Sequence, residues 1–298
     1  MALMRSVFYV PANNPKFIEK ATTLPCDIVT LDIEDSVAPA EKAAARKLAA
    51  ESFSKFADLK AELYVRLNSW ATELTNEDLE ALIWPGLDGV TATKVRDADD
   101  IKRLDWKLHE LEARRGIPEG TVKVCCLIET AMGVMNAYPI CSASPRIVSA
   151  IFGAVDFCAD MRVTLTNKGA EQLYGRATVG VAARAAGIVA LDAPFADFSN
   201  IDAFTANTQE SIQLGFEGRM LIHPSQIEIA NKLYAPSEKE VEHAKKVVKV
   251  FEEEGLAKGL AAVALDGKMV DIPVYASAQG VLARWSEICE KGSPDNAS

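Results

Sequence analysis

Residues 27–56 read DIVTLDIEDSVAPAEKAAARKLAAESFSKF. Between Asp27 and its closing carboxylates, the run DIVTLDIE (27–34) is apolar and β-branched. That is the pattern of a parallel strand covered on both faces. Pro39 then opens PAEKAAARKLAAESFSKF (39–56), where apolar residues recur at helical spacing. The same strand-then-helix unit repeats in both directions. Further strands are expected at SVFYVP (6–11), LYVRLN (63–68), GVTATKV (89–95), VKVCCLIET (122–130), IVSAIFGAVD (147–156), IVALDAPF (188–195) and GRMLIHP (218–224). Helices are expected at NEDLEALIWPGL (76–87), DADDIKRLDWKLHELEARR (97–115), KGAEQLYGRATVGVAARAAG (168–187) and NIDAFTANTQESIQLG (200–215). Eight strands of this kind predict an α/β fold, the (β/α)8 TIM barrel. A doubly wound open sheet would place a glycine-rich turn after its first strand, and PANNP (11–15) is not one.

The chain has 298 residues, which suits two domains or one barrel with an extension. The barrel reading assigns 1–256 to the catalytic domain and 257–298 to a C-terminal helical lid or oligomer arm. A long helix is expected at 237–255 and another at 274–290, with Gly255, Gly259 and Gly267 punctuating the tail. Hydrophobic residues make up 49% and charged residues 25%, the balance of a globular protein with a sizeable core. Lys+Arg 32 against Asp+Glu 42 leaves −10, which argues against nucleic acid or an anionic membrane surface as partner but allows a local basic pocket. No apolar run approaches a membrane span, and MALMRSVFYVPANN (1–14) lacks a signal-peptide layout, so a cytoplasmic location is expected. None of the six cysteines forms a CxxC pair, and Cys125 and Cys126 are expected to be reduced and buried. His109 and His243 lie in charged, helix-like stretches and are expected at the surface.

Polar residues gather at the C-terminal ends of the strands. Strand two ends in Asp32, Glu34 and Asp35, strand three in Arg66 and Asn68, and strand four in Lys94. Strand five ends in Glu129, six in Asp156, seven in Asp192 and eight in His223. In a barrel these ends form the face that carries active sites. One or two of these groups are expected in buried salt bridges instead, since unpaired buried charge is costly. Glu129 and Asp156 come from adjacent strands with no His or Cys ligand nearby, and two readings stand side by side. One is a site for a hard, oxygen-seeking cation such as Mg²⁺. The other is a plain acid/base pair. Arg66 offers a planar fork for a carboxylate or a developing oxyanion.

The chain also resembles, nearly end to end, the citrate lyase β-subunit-like group of the HpcH/HpaI aldolase superfamily, which includes malyl-CoA and citramalyl-CoA lyases. The resemblance runs in order through RSVFYVPANNPKFIEKA (5–21), DIVTLDIEDSVAPAEKAAAR (27–46), YVRLN (64–68) and LIETAMGVMNAYPICSASPRI (127–147). It continues through FGAVDFCADM (152–161), AARAAGIVALDAPFADFSN (182–200), LGFEGRMLIHPSQIEIAN (214–231), APSEKEVEHA (235–244) and LDGKMVDIPV (265–274). It implies a (β/α)8 barrel assembled as a homotrimer or homohexamer, with a C-terminal segment closing over a neighbouring active site. It implies Glu129 and Asp156 as ligands of Mg²⁺, or of Mn²⁺ in its place, and Arg66 as the substrate arginine. Asp271 of KMVDIP is implied as the lid carboxylate acting at the acetyl carbon in the adjacent subunit's pocket. Tyr9 and Lys20 fall where the family contacts coenzyme A, with Ile222, His223 and Pro224 beside that tunnel. Asp32, Glu34 and Asp35 are implied as partners of metal-bound water rather than as ligands. The chain departs in its first loop, where many relatives read PGSRP and Asn14 stands in place of an arginine for the CoA phosphates. Strand four ends Ala92–Thr93–Lys94 where relatives tend to read Leu-Pro-Lys.

The activity so implied is Mg²⁺-dependent cleavage of a 3-hydroxy-3-carboxyacyl-CoA, of the citramalyl-CoA or malyl-CoA type, to acetyl-CoA and pyruvate or glyoxylate. The alternatives are a citrate lyase β subunit acting on a citryl thioester, a CoA-independent pyruvate-type metal aldolase, a malyl-CoA thioesterase or malate synthase-like activity, and a non-catalytic oligomeric binding protein.

Overall fold

A computed structural model describes residues 3–166 and 169–290. Eight parallel strands close into a barrel in sequence order, the expected (β/α)8 TIM fold. They are β1 (Ser6–Pro11), β2 (Ile28–Asp32), β3 (Glu62–Arg66), β4 (Gly89–Ala92), β5 (Lys123–Ile128), β6 (Ile147–Phe152), β7 (Val189–Asp192) and β8 (Gly218–Leu221). β1 pairs with β8 through Ser6–Arg219 and Val7–Met220, which seals the cylinder. Each strand lies inside the run expected for it, except that β3 starts one residue earlier, at Glu62, and most ladders stop early. The run 147–156, for example, leaves the sheet at Phe152, and Ala154–Asp160 is a helix. Asp156 is therefore not a strand-end residue, as the sequence suggests, but stands in the first turn of that helix. The apolar pattern carries on past Phe152 because Ala154, Phe157 and Cys158 bury the inner face of the new helix.

Alternation along the strands places the site. Tyr9, Ile28, Tyr64, Cys125, Leu127, Ile151, Leu191 and Met220 pack together as one buried cluster contributed by seven strands. A strand turns every second side chain to the same face. Leu127 is therefore followed on that face by Glu129, Tyr64 by Arg66, and Ile28, two steps on, by Asp32. The polar residues are the top layer of the same packed column, above its apolar filling. β4 contributes Gly89 there, and a Cβ at that position would lie 2.5 Å from the Tyr64 ring. The missing side chain makes room for the phenol.

The helices start and stop where their caps dictate. Asp97 caps Ala98–Arg115 by accepting from the N–H groups of Asp99 and Asp100, and Gly116 ends the helix at φ 66°. Asn200 caps Ile201–Gln213 in the same way. The six cysteines are unpaired, and Cys125 and Cys126 are buried as expected. Among the described residues no helix is long and apolar enough to cross a membrane.

The chain divides into two compact units, Met1–Asn231 and Lys232–Ser298. The second contains the helix Glu238–Val250, a π-turn at Phe251–Leu256, an antiparallel hairpin and the helix Ile272–Glu290. Ala244, Val247, Phe251, Val263, Val270 and Ala278 form its core. The hairpin, β9 (Ala262–Leu265) and β10 (Lys268–Asp271), has no counterpart among the elements expected from sequence. Its turn is Asp266–Gly267, with φ of 50° and 74°. Those values are the left-handed pair that matches the twist of a two-residue hairpin, for which Asp-Gly is a strong signal.

Candidate active site

Arg66, the last residue of β3, makes a two-pronged contact with Asp32, the last residue of β2. Nε donates to Oδ1 at 2.7 Å and Nη2 to Oδ2 at 2.5 Å. Nη1 lies 3.3 Å from Glu34 Oε2. Burial lowers the guanidinium's affinity for its proton, but the hydrogen bonds and charge of Asp32, and then Glu34, more than offset this, so its pKa rises. Burial likewise raises Asp32, yet Arg66 brings its carboxyl below the usual range. A guanidinium has five N–H donors, so three such contacts leave two for another oxygen. Tyr9 lies beneath, with its ring centroid 5.3 Å from the guanidinium carbon, and burial keeps its phenol neutral.

Glu129 stands just beyond β5, at 3% exposure. Among the described residues, the hydrogen bond its carboxylate accepts comes from the Lys94 backbone N–H, at 3.0 Å from Oε1. Burial, then the negative charges of Asp156 and Glu34, push its pKa up to about 8. A carboxylate so buried and so poorly compensated is a costly arrangement unless something positive joins it. Gly153 is what admits it. A Cβ there would stand 2.5 Å from Glu129 Cβ and 2.6 Å from Oε2. Gly153→Ala is expected to keep the fold while displacing the carboxylate, lowering divalent-cation affinity and turnover by about tenfold or more. Titration with Mn²⁺ followed by electron paramagnetic resonance checks it, and unchanged affinity would refute this role for the glycine.

Lys94 sits two residues past β4, with φ 51°. A side-chain-bearing residue in that region carries a backbone cost of roughly 1–2 kcal/mol. Its ammonium lies 2.7 Å from Glu34 Oε1, 3.2 Å from Asp35 Oδ2 and 3.5 Å from Asp156 Oδ1. Burial lowers its pKa, and Glu34 and the other carboxylates reverse that, holding the amine charged. Glu34 is raised, chiefly by burial.

The sequence places Asp32, Glu34, Asp35, Arg66, Glu129 and Asp156 in one pocket, and the contacts above join them. Lys94, noted in the sequence only as the end of strand four, proves to connect three of the carboxylates. The signal was available in charge: six carboxylates at the strand ends faced two cations, so neither cation could be idle. Asp192 goes elsewhere. Its carboxylate takes Arg176 in a buried pair, with Nη2 at 2.6 Å from Oδ2 and Nε at 3.2 Å from Oδ1.

Tyr9, Lys20, Ile222, His223 and Pro224 come together as the lining of a cavity of about 310 Å³, with Phe8, Val10, Pro11, Phe17 and Leu24. It is a largely apolar slot, with Lys20 as the cation in its lining. His223 stacks on Phe198 with centroids 4.6 Å apart, and its Nδ1 is 2.8 Å from Ser225 Oγ. Asn14 caps the helix Pro15–Ala21, accepting from the N–H groups of Lys16 and Phe17. In the second unit Asp271 ends β10 and its Oδ1 accepts from the Val274 N–H at 3.2 Å. His109 and His243 are exposed, as expected.

Among the described residues no cluster of three or more His, Cys, Asp or Glu side chains could hold a metal. The two-carboxylate set of Glu129 and Asp156 suits Mg²⁺, which binds through one or two carboxylates and completes its shell with water and substrate oxygens.

Comparison with known proteins bears on this geometry. Residues 5–224 match the model of the HpcH/HpaI aldolase/citrate lyase family. The chain is 38% identical to the citrate lyase subunit beta of Leuconostoc mesenteroides subsp. cremoris, over 94% of this chain and 92% of that one. It is 32% identical to an L-malyl-CoA/beta-methylmalyl-CoA lyase of Cereibacter sphaeroides, over 95% of each. A crystal structure of the protein CitE from Mycobacterium tuberculosis, in complex with magnesium, acetoacetate and coenzyme A, superposes with a TM-score of 0.75. It is 30% identical, over 96% of this chain and 99% of that one.

Proposed function

Because the chain belongs to the HpcH/HpaI aldolase/citrate lyase family, we propose that it is a metal-dependent carbon–carbon lyase acting on a 3-hydroxy-3-carboxyacyl thioester. The citramalyl-CoA or malyl-CoA type is favoured, with acetyl-CoA and pyruvate or glyoxylate as products. The observation that carries this reading is Glu129. It is a buried carboxylate with a backbone N–H as its hydrogen-bond partner, beside Asp156 and at the same barrel end as Arg66.

Glu129 and Asp156 would hold the divalent cation, Mg²⁺ or Mn²⁺. When bound, it supplies Lewis-acid polarisation of the keto-acid carbonyl that forms as the C–C bond breaks. The remaining steps fall to side chains. Cleavage releases the 3-hydroxyl proton to water and sends the C–C bonding pair toward the thioester oxygen, and Arg66 would stabilise that developing charge with the N–H donors Asp32 and Glu34 leave free. Asp32 and Glu34 fix the guanidinium in orientation and in charge. Asp271 would protonate the acetyl carbon, or deprotonate it in the condensation direction, from the adjacent subunit. The apolar slot lined by Tyr9, Ile222 and Pro224 would take the pantetheine arm, with Lys20 and His223 near its polar groups.

Self-association as a homotrimer or homohexamer is part of this proposal. Met135 and Val181 are each 70% exposed, and Met132, Tyr138, Leu173 and Tyr174 are exposed on the same three neighbouring helices, Ala131–Met135, Ala137–Cys141 and Leu173–Ala186. Apolar exposure on that scale marks an interaction surface.

The test is Mg²⁺-dependent release of acetyl-CoA from a panel of malyl-, citramalyl- and citryl-CoA. Release from a member of the panel is expected, and none from any would overturn the proposal. One observation favours a second reading, a citryl thioester on a carrier protein, as in a citrate lyase β subunit. Asn14 spends its side chain on a helix cap where an arginine would meet the CoA phosphates. Cleavage of the carrier-bound thioester but not of any CoA ester would decide for it.

A further inference from the structure

Lys94 serves the site through two separate parts of the residue. Its left-handed backbone turns the N–H onto Glu129 Oε1 at 3.0 Å. Its ammonium bridges Glu34, Asp35 and Asp156, which come from the loop after β2 and the first turn after β6. Arg66 is committed to Asp32 and Glu34, so among the described residues Lys94 is the cation paired with Asp156. The three contacts are graded at 2.7, 3.2 and 3.5 Å, and the longest is to Asp156. Giving up Asp156 would leave the two shorter contacts intact.

We propose that Lys94 is a positioning residue that acts as the resident counter-ion of the cation site. Its N–H holds Glu129 in place, and its ammonium balances Asp156 until a divalent cation takes that carboxylate. The inference rests on the reading of Glu129 and Asp156 as the cation's ligands. A divalent cation and an ammonium sharing one carboxylate repel each other, so Lys94 lowers the affinity of the site while organising it. The ammonium keeps Asp156 from standing unpaired in the metal-free protein. After the cation binds, it holds Glu34 and Asp35, and through Glu34 the guanidinium of Arg66.

The experiment uses the full-length protein. Binding of Mn²⁺ to the metal-free form is measured by electron paramagnetic resonance, and thioester cleavage is measured against Mg²⁺ concentration. Lys94→Met keeps the backbone N–H and removes the charge. It is expected to bind Mn²⁺ about tenfold more tightly, to need correspondingly less Mg²⁺ for half-maximal rate, and to lose about tenfold or more in kcat. Lys94→Arg restores the charge and is expected to return Mn²⁺ affinity to within about threefold of the parent protein. A merely structural lysine would weaken binding and turnover together, and that result, or unchanged Mn²⁺ affinity in Lys94→Met, overturns the proposal. If Lys94→Met does not fold, Lys94→Gln carries the same expectation. Glu129→Gln separates the two layers. Parent-like Mn²⁺ affinity in that variant overturns the ligand reading, whereas loss of Mn²⁺ there with no tightening in Lys94→Met overturns only the role of Lys94.

Discussion

Glu129→Gln is expected to abolish high-affinity binding of the divalent cation and to reduce thioester cleavage by about a thousandfold or more. Gln retains an oxygen to accept from the Lys94 N–H and nearly the same volume, so folding should survive. What it removes is the negative charge. The same variant also reads out the energetics of the metal-free site. In the parent, burial first and then Asp156 and Glu34 raise Glu129 to about 8, against about 4.3 in an unfolded chain. A carboxyl raised on folding favours the folded state only while it is protonated. Its contribution is complete below about pH 4.3 and is lost as pH rises through about 8. The metal-free protein should therefore lose stability across that window, and Mg²⁺ should restore it at the alkaline end by binding only the folded form. In Glu129→Gln this part of the pH dependence should vanish. Urea denaturation at pH 5 and pH 8, with and without Mg²⁺, measures both effects. A variant that still binds Mg²⁺ and turns over normally would leave the proposed chemistry without its centre.

The second large effect concerns the C-terminal unit. Asp271→Asn is expected to fold and to bind Mn²⁺ like the parent, yet to lose between about a hundredfold and ten-thousandfold in turnover. Its carboxylate accepts one N–H at the start of the helix Ile272–Glu290, a contact that Asn can preserve, so the change falls on proton transfer. Mixed oligomers sharpen the test. If Asp271 serves a neighbouring subunit, inactive Asp271→Asn and inactive Glu129→Gln chains co-assembled should recover part of the activity. Each mixed contact can pair an intact metal site with an intact Asp271. Full activity in Asp271→Asn alone would end its assignment to the reaction.

Much of this site can be read from the chain. Glu129, Asp32 and Arg66 follow apolar residues at steps of two, and a strand's alternation carries them to the inner face whatever the rest of the fold does. The ends of the elements are less legible in the pattern. The run 147–156 is apolar but for Ser149 and its closing Asp156, yet its last residues serve a helix, because a buried strand and the inner face of a short helix ask for the same side chains. The hairpin at 262–271 is not among the elements the pattern predicts, although Asp266–Gly267 announces it, since Gly255, Gly259 and Gly267 look alike as punctuation. Gly267 differs only in being flanked by strands that pair.

The amino-acid sequence alone thus determined the eightfold strand–helix repeat, the closed barrel and the gathering of charge at one end of it. Each follows from periodicity, and periodicity is a property of local chain geometry. Which charge meets which is another kind of question. Asp192 and Glu129 are alike in sequence, each a carboxylate closing an apolar run, yet one is neutralised by Arg176 and the other stands beside Asp156 with a backbone N–H. Lys94 is one lysine among many until a left-handed turn brings its N–H to Glu129 and its ammonium to three carboxylates. Only the tertiary structure decided these pairings. Electrostatic energy depends on distances of a few ångströms between residues far apart in the chain, and on how much water their neighbours exclude.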